Sequence, residues 1–282
     1  MMLLAIPMFF IVAFLVYPIL QSIYISFHFW DLKKPKLIGQ FVGLKNYIDG
    51  ICSDYFFRTL KISFQFTILT VIFGFLGAMG VALLLNENFK GRNILRTLIL
   101  IPWAIPAVSN AVIWEFMFDL KYGVFSGILW HLGLIQDYIP FLQDPNWAMF
   151  SIVFASVWKG MPFEAMVLLA SLQTVPKDLI EASKVDGAGP WKTFTNVTLP
   201  WIRTSILVVL MLSTMWSLQS FALIYNLTQG GPAGATEILP FYIWIQGFRW
   251  LNMGAAVASS YVLTAISLII TIGYIKVIYR RK

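Results

Sequence analysis

Six apolar stretches divide the chain, and each is long enough to cross a bilayer as a helix. They lie near residues 2–28, 62–86, 97–118, 147–171, 204–226 and 254–279. Crossing a hydrocarbon core of about 30 Å takes about 20 helical residues. Because lipid offers no hydrogen-bond partners, the backbone of each stretch must satisfy its own polar groups. The sequence therefore predicts an all-α membrane protein with about six transmembrane helices.

Charged residues are too few to cover a water-exposed surface. They make up 12% of the chain, against about 25% in soluble domains. The net charge of +7 then indicates basic loops beside anionic lipid headgroups rather than nucleic-acid binding. The single cysteine, Cys52, cannot form an internal disulfide, and no Cys/His cluster has the spacing of a metal site. We expect neither a metal nor a nucleic-acid partner.

The ends of the chain are predicted to lie on the cytoplasmic side. The first stretch lacks a basic leading segment and a small-residue cleavage site, which favours a retained helix over a signal peptide. The loops assigned to the cytoplasm carry more Lys and Arg than the opposite loops, and they include Lys276, Arg280, Arg281 and Lys282. This positive-inside bias is weak because the first external loop is also basic.

The connection between the fourth and fifth stretches, near 174–200, is not an ordinary polar linker. Pro176 suits the first turn of a helix, and Gly187 allows the left-handed residue that ends one. Pro190 can then open a second short helix, which ends at Pro200. The pattern predicts two short helices joined by a tight glycine bend outside the bilayer.

This connection resembles the EAA signature of ABC-importer permeases, which reads E-A-A, three residues, G, nine residues, I, one residue, L-P. The matching residues are Glu181, Ala182, Gly187, Leu199 and Pro200, while Ser183 and Val197 replace an alanine and an isoleucine. Further likenesses point to the carbohydrate-uptake branch, of the maltose and glycerol-phosphate permease type. They are Tyr17-Pro18, Ile101-Pro102 and Gly230-Gly231-Pro232.

The resemblance implies a type I ABC importer transmembrane fold in a prokaryotic cytoplasmic membrane. Residues 1–58 would form the first helix and an external loop, and residues 59–279 the core with its coupling loop, near 174–200. The residues expected to meet an ATPase are Glu181, Ala182, Ser183, Asp186 and Gly187. The implied partners are a second homologous permease, two ATPase subunits, an extracytoplasmic solute-binding protein, a sugar and the lipid bilayer.

ATP chemistry is expected on a separate subunit, so the chain is predicted not to be an enzyme. ATP and Mg would bind the partner ATPase, because this chain has no G-x-x-x-x-G-K-[ST] motif to hold phosphates. An intramembrane hydrolase would need a nucleophile–base pair, and none is recognisable. The alternative of an autonomous secondary transporter would call for inverted repeats and an ion site, and neither is seen.

Two charged residues, Lys159 and Glu164, lie in the fourth stretch, where each costs at least about 2.5–3.5 kcal/mol near the bilayer centre. Five residues apart, they point about 140° away from each other and are not expected to pair. Pro162 predicts a broken helix in which Lys159 and the carbonyl of Trp158 bind a hydroxylated solute. The equal alternative is a proline kink, with the lysine snorkelling or paired to another subunit.

A polar stripe follows in the fifth stretch, where Ser213, Ser217 and Ser220 recur at helical spacing with Trp216 and Gln219 adjacent. Hydroxyls, an amide and an aromatic ring suit a sugar, although small residues also serve helix packing. In the resembling permeases the sugar site lies on the helices that flank the loop. The implied substrate path comprises Ser156, Lys159, Gly160, Phe163, Ser213, Trp216, Ser217 and Ser220.

Small residues on one face of the second stretch predict close packing against another helix. They are Gly74, Gly77, Ala78 and Ala82.

Overall fold

The computed structural model describes residues 8–279, without the side chains of residues 278 and 279. Residues 2–7 of the first predicted stretch and the predicted cytoplasmic Arg280, Arg281 and Lys282 lie outside the described residues. Within residues 8–279 the chain is helical, and its only β pairings are two isolated bridges. The all-α prediction is confirmed.

Four helices in the described part of the chain are long and apolar enough to span a bilayer. They are α1 (Met8–Ser26), α3 (Asp54–Asn86), α7 (Pro145–Leu172) and α13 (Met253–Tyr279). Two bent pairs bring the number to six. The first pair, α4 (Arg92–Ala104) and α5 (Ala107–Met117), is bent by 95°, and the second, α9 (Pro190–Trp201) and α10 (Arg203–Leu218), by 71°.

Shorter helices fill the connections. They are α2 (Lys45–Ile51), α6 (Val124–His131), α8 (Lys177–Val185), α11 (Ala222–Leu227) and α12 (Leu239–Trp244).

The third span is broken, although the sequence predicts a single helix over 97–118. The break falls at Ile105, whose extended backbone (φ −70°, ψ 131°) precedes Pro106. A proline clashes with a helical conformation of the residue before it, so α4 stops here and α5 starts afresh. The single-helix prediction is therefore wrong for this span.

The fourth span is continuous, and a break at Pro162 was one of two alternatives that the sequence left open. Helix α7 runs for 28 residues with this proline buried inside it. An internal proline removes one backbone hydrogen bond, and here α7 packs against α4, α5 and α10, which hold it in shape. Of the two equal alternatives, the broken fourth helix is therefore wrong.

The chain forms two compact units. One comprises the described residues up to Lys61 together with Ile238–Ile269, and its core is built by Phe56, Leu239 and Tyr242. The other comprises Ile62–Glu237 and the described residues from Ile270 onward.

The core of the second unit lies where α3 meets α7. Ala78 and Ala82 are fully buried there, and they pack in one cluster with Ala165 and Leu168 of α7. A side chain at Gly77 would collide with Met161, since its Cβ would lie 2.7 Å from the Met161 sulfur. The predicted close packing of this small-residue face is confirmed.

Enlarging Ala82 should destabilise the protein. Ala82→Leu inserts three carbons into a contact with no free space, and overpacking of this kind costs about 1–3 kcal/mol. We expect a lower melting temperature for the detergent-solubilised protein, measured by the loss of its monodisperse chromatographic peak on heating. Gly80→Leu is the matched control, because Gly80 lies on the same helix with nothing within 4 Å of an added Cβ. Equal melting of both variants would contradict this packing.

Candidate functional site

The second unit contains a cavity of about 350 Å³, within the size range of small-molecule sites. Its wall comes from α3, α7 and α10, from the break between α4 and α5, and from the start of α11. Seven of the eight residues predicted for the substrate path line it. They are Ser156, Lys159, Gly160, Ser213, Trp216, Ser217 and Ser220.

Lys159 reaches from α7 to the break in the third span. Its ammonium group donates hydrogen bonds to the carbonyl of Trp103 at 3.0 Å and to that of Ile105 at 2.5 Å. These carbonyls lie at the C-terminal end of α4, where the helix leaves them without backbone donors and where a cation is favoured. Lys159 thus caps the C-terminal end of α4 within its own chain, a role that was not predicted from the sequence.

Phe163, the eighth predicted residue, does not line the cavity. It packs instead between Trp103 and Trp216, which both line the cavity. Its ring is stacked on Trp103 and edge-on to Trp216, with a centroid distance of 5.3 Å in each contact. Trp216 remains 45% exposed. Phe163 therefore positions an indole ring whose open face can take the C–H side of a sugar.

The serine stripe is split between a helix and a turn. Ser213 and Ser217 are buried on α10, but that helix ends at Leu218, so the predicted single helix over 204–226 is wrong. The Ser220 amide bonds the Ser217 carbonyl at 3.1 Å, a tight turn that ends the helix. Ser220 still reaches the cavity, from the connection between α10 and α11.

Four further polar residues line the cavity, namely Thr70, Asn110, Glu164 and Gln219. Glu164 attracted notice in the sequence for its charge alone, whereas Thr70 and Asn110 were missed. The available signal was the presence of polar Thr70 and Asn110 within predicted spans, since polar side chains inside a membrane usually face a cavity or a partner.

The coupling loop forms the predicted pair of helices with a glycine bend. Gly187 has the expected left-handed backbone at φ +78°. The Ala188 amide bonds the Ser183 carbonyl at 2.9 Å, and the Gly187 amide bonds the Lys184 carbonyl at 3.0 Å. This pair of bonds is the Schellman ending of a helix. The hydroxyl of Ser183 also lies 3.0 Å from that of Thr193, so the two helices are tied across the bend.

One side of the coupling loop is anchored and the other is open. Ile180 and Phe194 pack against the core of the second unit. The open side exposes four of the predicted contact residues, namely Glu181, Ala182, Asp186 and Gly187. Two apolar side chains missed at the sequence level, Val185 and Trp191, are 87% and 75% exposed beside them. The loop thus presents a face that mixes charged side chains of both signs with apolar ones.

Comparisons with known proteins agree along nearly the whole chain. The trehalose/maltose transport system permease protein MalF of Thermococcus litoralis is 36% identical over 273 residues, which is 95% of this chain and 89% of that protein. A solved bacterial ABC transporter involved in the import of the acidic polysaccharide alginate matches with a TM-score of 0.83 at 26% identity, covering 100% of this chain and 94% of that chain.

A second structure of the alginate transporter, in complex with an alginate pentasaccharide-bound periplasmic protein, matches with a TM-score of 0.79 at 25% identity, over 97% of this chain and 91% of that chain. These likenesses confirm the type I ABC importer transmembrane fold. Residues 71–281 match the family described as "Binding-protein-dependent transport system inner membrane component". The chain is therefore a multi-pass membrane protein and belongs to this family of transport permeases.

Proposed function

We propose that this chain is one permease subunit of an ATP-driven importer that carries a saccharide across a prokaryotic cytoplasmic membrane. The observation that carries the proposal is the cavity among the spanning helices, which combines serine hydroxyls with the open ring of Trp216. Sugars need both, because their hydroxyls require hydrogen bonds while their C–H faces stack on rings. The relatives named above transport trehalose, maltose or alginate.

The subunit works with partners rather than alone. A second homologous permease completes the pathway, two ATPase subunits bind ATP and Mg, and an extracytoplasmic binding protein delivers the sugar. The binding-protein-dependent family and the bound periplasmic protein of the alginate transporter support this assembly over an autonomous secondary transporter. Residues 59–279 would form the transport core, and both termini would face the cytoplasm.

The coupling loop would transmit movement of the ATPase to the cavity. Glu181, Ala182, Asp186 and Gly187 would meet the ATPase, with Val185 and Trp191 as apolar anchors, while Ser183 holds the bend from inside. The loop connects directly to α7 on one side and to α10 on the other, and both helices line the cavity. A displacement of this rigid loop would therefore move both cavity walls.

The orientation can be tested with cysteine probes. In a Cys52→Ser background, Asp186→Cys should react with an impermeant maleimide only in inside-out vesicles. Asp137→Cys, in the loop between α6 and α7, should react only in intact spheroplasts. Both positions are exposed, so access depends on the side of the membrane. Labelling of Asp186→Cys from outside would overturn the orientation and the coupling role together.

Substitutions in the coupling loop should weaken the attachment of the ATPase subunits to this chain. Gly187→Val places a β-branched residue in a left-handed conformation, which costs about 1–2 kcal/mol, and Glu181→Lys reverses a charge on the exposed face. We expect normal insertion with at least about a tenfold loss of ATPase co-purification and of uptake. Asp137→Lys is the control charge reversal outside the loop. Normal ATPase attachment in both loop variants would contradict the coupling role.

Substitutions in the cavity should reduce sugar uptake without reducing the stimulation of the ATPase by the loaded binding protein. Trp216→Ala removes the open ring, and Ser217→Leu fills the cavity, so uptake should fall by about tenfold or more. ATPase stimulation by the loaded binding protein should stay within about twofold, because that signal does not pass through the sugar contacts. Trp130→Ala is the control, since Trp130 is exposed and does not line the cavity. Parallel loss of both activities with falling protein yield would assign these residues to packing.

A further inference from the structure

The connection between α5 and α7 contains a long uncharged segment. Residues 123–136 include no Asp, Glu, Lys or Arg, although charged residues make up 12% of the chain, and Lys121 and Asp137 flank the segment. Helix α6 forms its first half. Contiguous apolar surface is rarely left in water, so a segment of this composition needs an apolar neighbour on each exposed side.

One side of α6 packs onto an aromatic cluster. The ring of Phe125 contacts three other phenylalanine rings at centroid distances of 5.5 Å, 5.5 Å and 5.7 Å, namely those of Phe118, Phe141 and Phe154. Phe118 and Phe141 are buried in this cluster. This side of the helix is therefore already covered by the protein.

The opposite side of α6 is exposed and apolar. Val124, Ile128 and Leu132 recur every four residues, so they form one stripe, and they are 50%, 53% and 67% exposed. The polar side chain beside this stripe is His131, in the last turn of the helix. The stripe is thus an apolar surface that awaits a neighbour.

The aromatic cluster indicates the depth of α6 in the bilayer. Helix α7 has 28 residues and is about 42 Å long, so it exceeds a hydrocarbon core of about 30 Å by about 12 Å. Phe154 lies roughly 14 Å along this helix from its first residue, Pro145. Even if all the excess length lay beyond this end, Phe154 would still be within the hydrocarbon core. Helix α6, which contacts Phe154 through Phe125, therefore lies at the hydrocarbon boundary rather than in bulk water.

Lipid suits the exposed stripe better than a solute-binding protein does. A binding protein docks only transiently, so a stripe reserved for it would face water whenever that protein is absent. Protein interfaces also carry about one hydrogen bond per 100–200 Å², and this stripe offers His131 alone for such contacts.

The second permease is expected on the side of the cavity. On α5 the cavity-lining residues Ala107 and Asn110 lie on the opposite side of the helix from the exposed residues Val112 and Phe116. The exposed apolar side chains that lead along the chain from α5 to α6 therefore begin on a surface that points away from the pathway.

We infer that α6 is an interfacial helix whose stripe of Val124, Ile128 and Leu132 inserts among the acyl chains of the bilayer. His131 lies at the level of the headgroups. Because the stripe is uncharged, its insertion depends on apolar burial and not on anionic lipid. The helix thereby holds the C-terminal end of α5 at a fixed depth. This inference goes beyond the proposed function and does not depend on the cargo.

The test measures the surroundings of a spin label on α6 in the complete importer, reconstituted in phosphatidylcholine nanodiscs. Ile128→Cys or Leu132→Cys carries the label, in a Cys52→Ser background with cysteine-free partner subunits. Power-saturation EPR compares collisions with O₂, which concentrates in lipid, and with a water-soluble Ni²⁺ chelate. We expect either label to favour O₂ by about threefold or more, because the stripe lies among acyl chains.

Two labels at other positions calibrate the measurement. Val112→Cys, on the exposed side of α5, should report lipid, and Asp137→Cys should report water. Exchanging phosphatidylcholine for phosphatidylglycerol should leave the Ile128→Cys ratio within about twofold, since insertion does not require anionic headgroups. Ile128 and Leu132 are both exposed, so either label avoids the core, and Leu132→Cys carries the test if Ile128→Cys does not assemble.

Three outcomes would overturn the inference. A label on α6 that meets the Ni²⁺ chelate as readily as O₂ places the stripe in water. A label that neither reagent reaches places it against the second permease. A label that the loaded binding protein shields from the chelate assigns the stripe to that protein. Saccharide uptake is measured on the same complexes, so that normal uptake with any of these results leaves the proposed function standing. Absence of saccharide uptake in the unaltered complex would instead overturn the proposed function.

Discussion

Helix α4 stops among membrane-spanning segments, so its last carbonyls have no backbone donors. The ammonium group of Lys159 donates hydrogen bonds to carbonyls at this end instead. The third span turns by 95° at Ile105, and that break opens the wall of the cavity. Irregular backbone is tolerated at such depth only where protein or a water-filled space satisfies it. The same contact accounts for a lysine in the apolar helix α7, because the carbonyls at the C-terminal end of α4 stabilise its positive charge. This interaction ties α7 to the break in the third span at the wall of the cavity.

The likeness to the alginate transporter shows how the fold and the cargo can be separated. That protein handles an acidic polysaccharide and shares this fold with a TM-score of 0.83 at 26% identity. Such a scaffold determines where the cavity lies, while the side chains on its wall determine which groups it can hydrogen bond. In this chain the wall carries both Lys159 and Glu164, so its polarity is a local property of a few positions rather than of the fold.

Local chemistry was enough to predict some features of this chain. The length of the apolar stretches predicted the spans, and Gly187 predicted the bend because only a left-handed residue closes a helix in that way. The prolines were harder to interpret, because Pro106 ends a helix while Pro162 does not. The difference lies in packing, since Pro162 is buried among neighbouring helices. No local pattern contains that information.

The site was predictable only in part for a similar reason. The sequence indicated six of the nine cavity-lining residues that α7 and α10 contribute, because neighbours on one helix face share a direction. Thr70 and Asn110 come from α3 and α5, and nothing in a single sequence shows that these helices meet α7. The role of Lys159 was missed because its partners are backbone atoms more than fifty positions away.

The aromatic contact among Trp103, Phe163 and Trp216 has a mechanical consequence. Each ring belongs to a different span, and the ring centroids of each contact lie 5.3 Å apart. The dispersion attraction between two rings is largely lost when they separate by about one or two ångströms, so these side chains are either in contact or not. Packed contacts of this kind switch between discrete arrangements instead of stretching smoothly. The width of the cavity that Trp103 and Trp216 line would then change in discrete steps rather than continuously.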